Sequence, residues 1–200
     1  MTVLGSLNMD LALHLDALPA PGETLLSGRR VDGPGGKGLN QAVAASRAGA
    51  FTRMIGAVGE DAEGHALRQV LAEDRIDPLV RATTGRTGLA VVLLDGTGEN
   101  SIVVAPGTNA ALTDLMPAEL AAIAESRVLL MQLEVPLPTV AAAARAARDA
   151  GVTVVLNAAP AVAGSELPLD HVDLLVVNEG EARTVVGVSQ DTGGDIEPVL

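Results

Sequence analysis

The chemistry in this sequence gathers around its only lysine. Lys37 stands in a glycine run, Asp32-Gly33-Pro34-Gly35-Gly36-Lys37-Gly38, with Asn40 and Gln41 just beyond it, and every other basic residue of the thirteen is arginine. A glycine turn feeding a helix exposes backbone N–H groups and lets a ligand come close, because no Cβ stands in the way. Lys37 adds an ammonium to that place, and Asn40 and Gln41 add amides. Other polar side chains close apolar runs. Asn8 and Asp10 follow Val3-Leu4, Glu134 follows residues 128–133, Asn157 follows 152–156 and Asn178 follows 174–177. Ligands of parallel sheets bind at the carboxyl ends of strands. A rim of amides and carboxylates with a single cation suits an uncharged polyol, whose hydroxyls need acceptors (Asp10, Glu134) and two-way amides (Asn8, Asn40). Taken one at a time, each Asn or Asp fits a turn or a helix cap as well. Their recurrence at successive strand ends favours a site.

Other chemistries fit poorly. Gly33, Gly35 and Gly38 spell G-x-G-x-x-G, but residues 28–32 are poor strand core, so a dinucleotide fold is disfavoured. Lys37 is followed by glycine, not Ser or Thr, so the run is no P-loop. His14, His65 and His171 lie far apart without ligand spacing, and with no cysteine there is no disulfide framework or thiolate chemistry. There is no G-x-S-x-G nucleophile elbow. A net charge of −12 opposes any polyphosphate backbone, and one phenylalanine with no Tyr or Trp gives no platform for stacking bases. No nucleic-acid partner is expected. No apolar run is long enough to span a bilayer and no leader pattern opens the chain, so no membrane partner and a cytoplasmic location are expected.

The elements that must hold these residues read as α/β. Two hundred residues suffice for one domain with a substantial core. The glycine run is too flexible for a regular element and leads into a helix over 39–50. A strand over 54–58 and a helix over 61–73 follow. Residues 88–94 and 100–105 form a hairpin around Asp95-Gly96, a pair that favours tight turns. From 117 onward the pattern is helix, strand 128–133, helix 138–150, strand 152–156, strand 174–177 and helix 179–186. The strands are continuous apolar runs, as in a parallel sheet covered on both faces. The hairpin and the early strands do not fit that core and predict a small separate sheet.

These residues resemble the ribokinases, within the PfkB-type carbohydrate kinases. Gly5-Ser6-Leu7-Asn8-Met9-Asp10 resembles the family's sugar-binding opening, and Pro19-Ala20-Pro21-Gly22-Glu23-Thr24 its P-x-P-G-E-T turn. Gly35-Gly36-Lys37-Gly38-Leu39-Asn40-Gln41-Ala42 resembles the signature G-G-K-G-x-N-Q-A. Leu130-Met131-Gln132-Leu133-Glu134 is similar to M-Q-L-E, Asn157-Ala158-Ala159-Pro160 to N-P-A-P with Ala158 in place of proline, and Asn178-Glu179-Gly180-Glu181 to N-x-x-E. The resemblance implies a ribokinase-like, Rossmann-type fold: a mostly parallel sheet with helices on both faces, plus a small β-sheet lid from strands near 10–31 and 88–105. It implies ATP-dependent phosphorylation of D-ribose to D-ribose 5-phosphate, with Mg²⁺ and a monovalent cation such as K⁺. Asn8, Asp10, Gly36, Lys37, Asn40 and Glu134 would hold the sugar, Asn178 would approach the nucleotide, and Glu181 would position Mg²⁺ through water and phosphate. The lid would also pair two copies into a homodimer.

The alternatives are another PfkB-type sugar or nucleoside kinase, a non-catalytic sugar-binding protein and, more remotely, an NAD-dependent dehydrogenase. The family's second signature, D-T-x-G-A-G-D, which carries the catalytic base and the anion hole, is missing from the 200 residues. No catalytic residue is therefore assigned, and the resemblance implies that the base lies beyond Leu200. Asp191-Thr192-Gly193-Gly194-Asp195 is two residues short and stands too soon after N-x-x-E to serve. The expectation is a partial ribokinase-like domain over 1–200, inactive alone and poorly soluble because its sheet is left with an open edge.

Overall fold

The computed structural model describes residues 1–188. In chain order its strands are β1 (Thr2–Leu4), β2 (Asn8–His14), β3 (Arg29–Gly35), β4 (Arg53–Gly59), β5 (Asp77–Thr83), β6 (Gly88–Leu94), β7 (Asn100–Ala105), β8 (Val128–Met131), β9 (Thr153–Asn157) and β10 (Leu174–Val176). The helices are α1 (Lys37–Arg47), α2 (Ala62–Glu73), α3 (Pro117–Ala124), α4 (Leu137–Asp149) and α5 (Glu179–Val186). The motif Asp191–Asp195 falls outside the described residues, and so does Leu200, the residue beyond which the catalytic base is expected.

Six strands form a sheet in the order β10-β9-β8-β1-β4-β5, and every pairing in it is parallel. Successive residues of a strand point to opposite faces, which is why both faces are apolar. Val3 joins Met54 and Val58 under α1 and α2, against Leu39, Ala42, Leu67 and Leu71. Leu4 joins Ile55, Leu129, Met131, Val154 and Leu156 under α3 and α4, against Ile123, Val140 and Ala144. Each of these large side chains contributes about 1.5–3 kcal/mol by leaving water. No helix among the described residues is long and apolar enough to cross a membrane.

The remaining four strands form a second sheet in the order β3-β2-β6-β7. Here β2 runs antiparallel to β3 and parallel to β6, while β6 and β7 form the expected hairpin. Only Gly5, Ser6 and Leu7 separate β1 in the large sheet from β2 in the small one. A second tie is Asp61, the cap of α2, whose carboxylate accepts from the Thr87 hydroxyl and the backbone N–H groups of Thr87 and Gly64. Burial pushes the Asp61 carboxyl up, but these hydrogen bonds and nearby Arg86 outweigh it and hold the group below its usual value.

The structure corrects three expectations. Gly33-Pro34-Gly35, expected to be irregular, is the end of β3. That strand lies at the sheet edge, where a proline without an N–H and weak intrinsic propensity are tolerated. Because Gly33 and Gly35 lie in an antiparallel edge strand, not in a turn after a parallel strand, the dinucleotide reading falls. β5 was not foreseen, since Asp77-Pro78 reads as a turn and its pairing with β4 is long-range.

Candidate functional site

The site grows from the first turn of α1. Gly36 precedes the helix at φ +93°, a conformation that favours glycine, and an added Cβ would lie 2.8 Å from the Asn8 nitrogen. A helix start leaves backbone N–H groups without partners. In this protein they are filled from within. The Lys37 N–H donates to Glu134 Oε2 at 3.1 Å, the Gly38 N–H to Ser6 Oγ at 3.3 Å and the Leu39 N–H to the Ser6 carbonyl at 3.0 Å. The Ser6 hydroxyl in turn donates to Glu134 Oε2 at 2.5 Å. The expected open anion cradle at this helix end is thus closed by a serine and a glutamate. What α1 offers outward is the Lys37 side chain.

Asp10 reaches the same place from the small sheet. It shares a register row with Ala90 and Val104, and so a face of the sheet with Val104. Val104 lines a cleft of about 570 Å³ together with Ile102, Lys37, Glu134, Pro136, Pro160 and Glu181. The cleft lies between β7 and the loops that leave β8 and β9, at the carboxyl ends of the parallel strands. Asp10 Oδ1 is buried without a hydrogen-bond partner among the described residues. Burial, and next the charge of Glu134, push the Asp10 carboxyl above its usual value. The carboxylate of Asp10 therefore lies close enough to Glu134 to feel its charge, while Glu134 and Lys37 line the cleft and Asp10 is not among the lining residues. Gly35 makes the room: an added Cβ there would lie 2.1 Å from Asp10 Oδ2.

Among the candidates, Lys37 and Glu134 share the cleft lining; Asp10 does not line it but packs against Gly35, and the buried Asn8 packs against Gly36. Asn40 is exposed on the first turn of α1 and does not line the cleft. Gln41 turns away, its Oε1 accepting from Gln132 Nε2 at 3.1 Å. Asn157 donates to the Val176 carbonyl at 3.1 Å and ties β9 to β10. Asn178 and Glu181 form a reciprocal cap on α5: Asn178 Oδ1 accepts from the Glu181 N–H and Glu181 Oε2 from the Asn178 N–H, each at 2.8 Å. Glu181 still lines the cleft; Asn178 does not.

Three residues escaped the sequence reading as site members. Ser6 lay inside a quoted motif but carried no assigned role. Gln132 is fully buried against Gly5 and donates to the Leu4 carbonyl. Asn109, in the 3-10 turn Gly107–Ala111, bonds to both backbone groups of Leu7 and to Asn8. Nothing local marks Asn109, because its partners are a hundred residues away in sequence.

Residues 1–200 match the family model described as pfkB family carbohydrate kinase. The chain belongs to the pfkB family of carbohydrate kinases. A ribokinase of Haemophilus influenzae is 41% identical over 191 residues, covering 94% of this chain and 62% of that protein. Among solved structures of similar fold, a ribokinase from Giardia lamblia has a TM-score of 0.87 at 28% identity, with 94% of this chain and 61% of that one covered. Arabidopsis thaliana ribokinase complexed with ribose and ATP has a TM-score of 0.79 at 29% identity, covering 96% and 64%. The chain spans about three-fifths of the length of these pfkB relatives. Among the described residues, no three acidic or histidine side chains cluster to hold a metal ion. Of the two Glu181 oxygens, the α5 cap engages Oε2.

Proposed function

We propose that this chain forms the sugar-binding part of an ATP-dependent ribokinase, which transfers the γ-phosphoryl group to the 5-hydroxyl of D-ribose. The observation that carries the reading is Lys37 and Glu134 side by side at one cleft, with the partnerless buried carboxylate of Asp10 near enough to feel the charge of Glu134. Ionised carboxylates only accept hydrogen bonds, and vicinal hydroxyls are the neutral groups best suited to donate to both at once. Such a ligand would also supply the missing partner of Asp10 Oδ1. Asn8 and Gly36, packed together beneath this corner, complete the proposed sugar site, and Asn40, exposed and outside the cleft lining, is included on the family resemblance alone. The 41% identical relative is a ribokinase, and a structural neighbour was solved with ribose and ATP, which supports both substrates.

In this reading the small sheet is the lid, with Ile102 and Val104 facing the sugar side. Its outer face exposes Leu89 and Val103, and a homodimer formed there would cover them. ATP occupies the end of the cleft nearer Glu181, with Asn178 approaching the nucleotide. Bound Mg²⁺ supplies charge neutralisation of the transferring phosphates, and a monovalent cation such as K⁺ is implied by the family resemblance alone. The reaction belongs in the cytoplasm, where ATP is available. Phosphoryl transfer depends on positioning and electrostatics, and this chain contributes the positioning of the acceptor.

Because the 200 residues lack D-T-x-G-A-G-D, the decisive test is binding, not turnover. Calorimetric titration should show one D-ribose per chain, with binding lost in Asp10→Ala and Glu134→Ala. Binding of adenosine in preference to ribose, or ribose binding indifferent to both substitutions, would overturn the proposal.

A further inference from the structure

Three groups buried at the base of the small sheet form a chain of fixed polarity. A backbone N–H can only donate and a backbone carbonyl can only accept. The Leu7 N–H donates to Asn109 Oδ1 at 3.0 Å, and the Leu7 carbonyl accepts from Asn109 Nδ2 at 3.2 Å. These two main-chain groups of Leu7 therefore dictate which end of the Asn109 amide is oxygen. The second hydrogen of Asn109 Nδ2 goes to Asn8 Oδ1 at 2.7 Å. That bond fixes the next amide in turn: Asn8 Oδ1 points to Asn109, and Asn8 Nδ2 faces away from it, with no partner among the described residues. Leu7, Asn8 and Asn109 are each no more than 1% exposed, so water does not compete freely for these bonds. Gly88 is required beside them, since an added Cβ would lie 2.2 Å from Asn8 Oδ1 and 2.4 Å from Asn109 Nδ2.

We propose that Asn109 is a positioning residue that sets Asn8 as a hydrogen-bond donor to a sugar hydroxyl oxygen. The inference rests on the sugar-binding reading above and adds a polarity to it. Asp10 and Glu134, when ionised, can only accept. A hydroxyl that donates its hydrogen to one of them keeps lone pairs on its oxygen, and an N–H aimed at that oxygen completes its bonding. A free asparagine offers either end of its amide. Held by Asn109, Asn8 offers the nitrogen alone, without an orientation to be selected on binding.

The test follows side-chain amide protons by ¹⁵N NMR in the whole chain and in Asn109→Asp. In the unsubstituted chain, the Asn109 amide protons exchange slowly, whereas those of Asn8 exchange faster and shift when D-ribose is added. The carboxylate introduced by Asn109→Asp cannot donate, so the Asn8 amide turns over to give it Nδ2. The Asn8 protons then become protected, stop responding to ribose, and ribose affinity falls by about tenfold. A purely structural Asn109 would not reverse the Asn8 amide. Should Asn109→Asp fold with Asn8 still exchanging quickly and responding to ribose, the proposal is wrong. Should that variant not fold, the unsubstituted chain decides: a protected Asn8 amide with an unprotected Asn109 amide overturns the proposal, and the opposite pattern supports it. If the protection pattern is as described but no signal responds to ribose, the sugar reading fails while the fixed donor orientation of Asn8 stands.

Discussion

Replacing Glu134 separates two tasks that one carboxylate performs. Its Oε2 accepts from the Lys37 N–H and the Ser6 hydroxyl, closing the start of α1, while the proposed sugar site uses the same group as an acceptor. Removing an N-cap acceptor costs about 1 kcal/mol. Losing the buried Ser6 hydroxyl's bond to a charged group adds about 1–3 kcal/mol. Relief of the repulsion with Asp10 returns a small part of this. Glu134→Ala should therefore destabilise the fold by about 2–3 kcal/mol, or roughly 4–12 °C in Tm for a chain of this size. Glu134→Gln keeps an acceptor oxygen for both donors and should cost only about 1 kcal/mol. Both substitutions should weaken ribose binding by about tenfold or more, since an amide is the poorer acceptor for a hydroxyl. Ser6→Ala should resemble Glu134→Ala in stability far more than in affinity. Thermal melts paired with ribose titrations of the three variants measure this. A Glu134→Ala protein melting within about 1 °C of the parent would refute the capping argument. Equal ribose affinity in Glu134→Gln and the parent would refute the acceptor argument.

Three further outcomes follow. Asp10 holds its proton more tightly folded than unfolded, so stability should fall as pH rises from the usual carboxylate range through its raised value; ribose binding, which needs the ionised form, should rise over the same window. Melts and titrations against pH should show both slopes flattened in Asp10→Asn, and that variant should be the more stable at neutral pH. Arg81→Met strips the buried Glu119 of its 2.5 Å ion-pair partner and should cost about 3 kcal/mol by denaturant unfolding, with most of it recovered in Arg81→Met/Glu119→Leu. Gly38→Ala drives a Cβ to 2.7 Å from the backbone of Gly5 and Ser6, and should lose about 1–3 kcal/mol together with ribose binding; an unchanged affinity there would mean that the start of α1 does not position the site.

Most of the large sheet was legible because its signals are local, continuous apolar runs with helices between them; its edge strand β5 was not, because its pairing with β4 is long-range. The Asp95 hairpin was legible for the same reason. β3 was not, because its glycines and proline argue against a strand and only pairing with β2 makes one. At the candidate site, Asp10, Lys37 and Glu134 were singled out by residue type, as the acceptors and the lone ammonium of a proposed polyol site. Asn157 and Asn178 were read as rim residues by the same logic and turned out to be bonded to backbone groups. Polarity at a strand end does not distinguish a side chain that serves a ligand from one that serves its own main chain. Ser6, Gln132 and Asn109 needed contacts across roughly a hundred residues or more, which no window of sequence contains.

The crossing at Gly5, Ser6 and Leu7 divides ownership of the polar cluster. Asn8 and Asp10 travel with the small sheet, while Lys37 and Glu134 belong to the body. A molecule gripped by both carboxylates acts as a strut across the joint, so part of its binding energy is also the energy that fixes the tilt of one sheet against the other. The fit of the proposed ligand and the angle between the two sheets would then be a single equilibrium, and a substitution that stiffens the Gly5–Leu7 crossing should be felt as a change in affinity even where it touches no ligand.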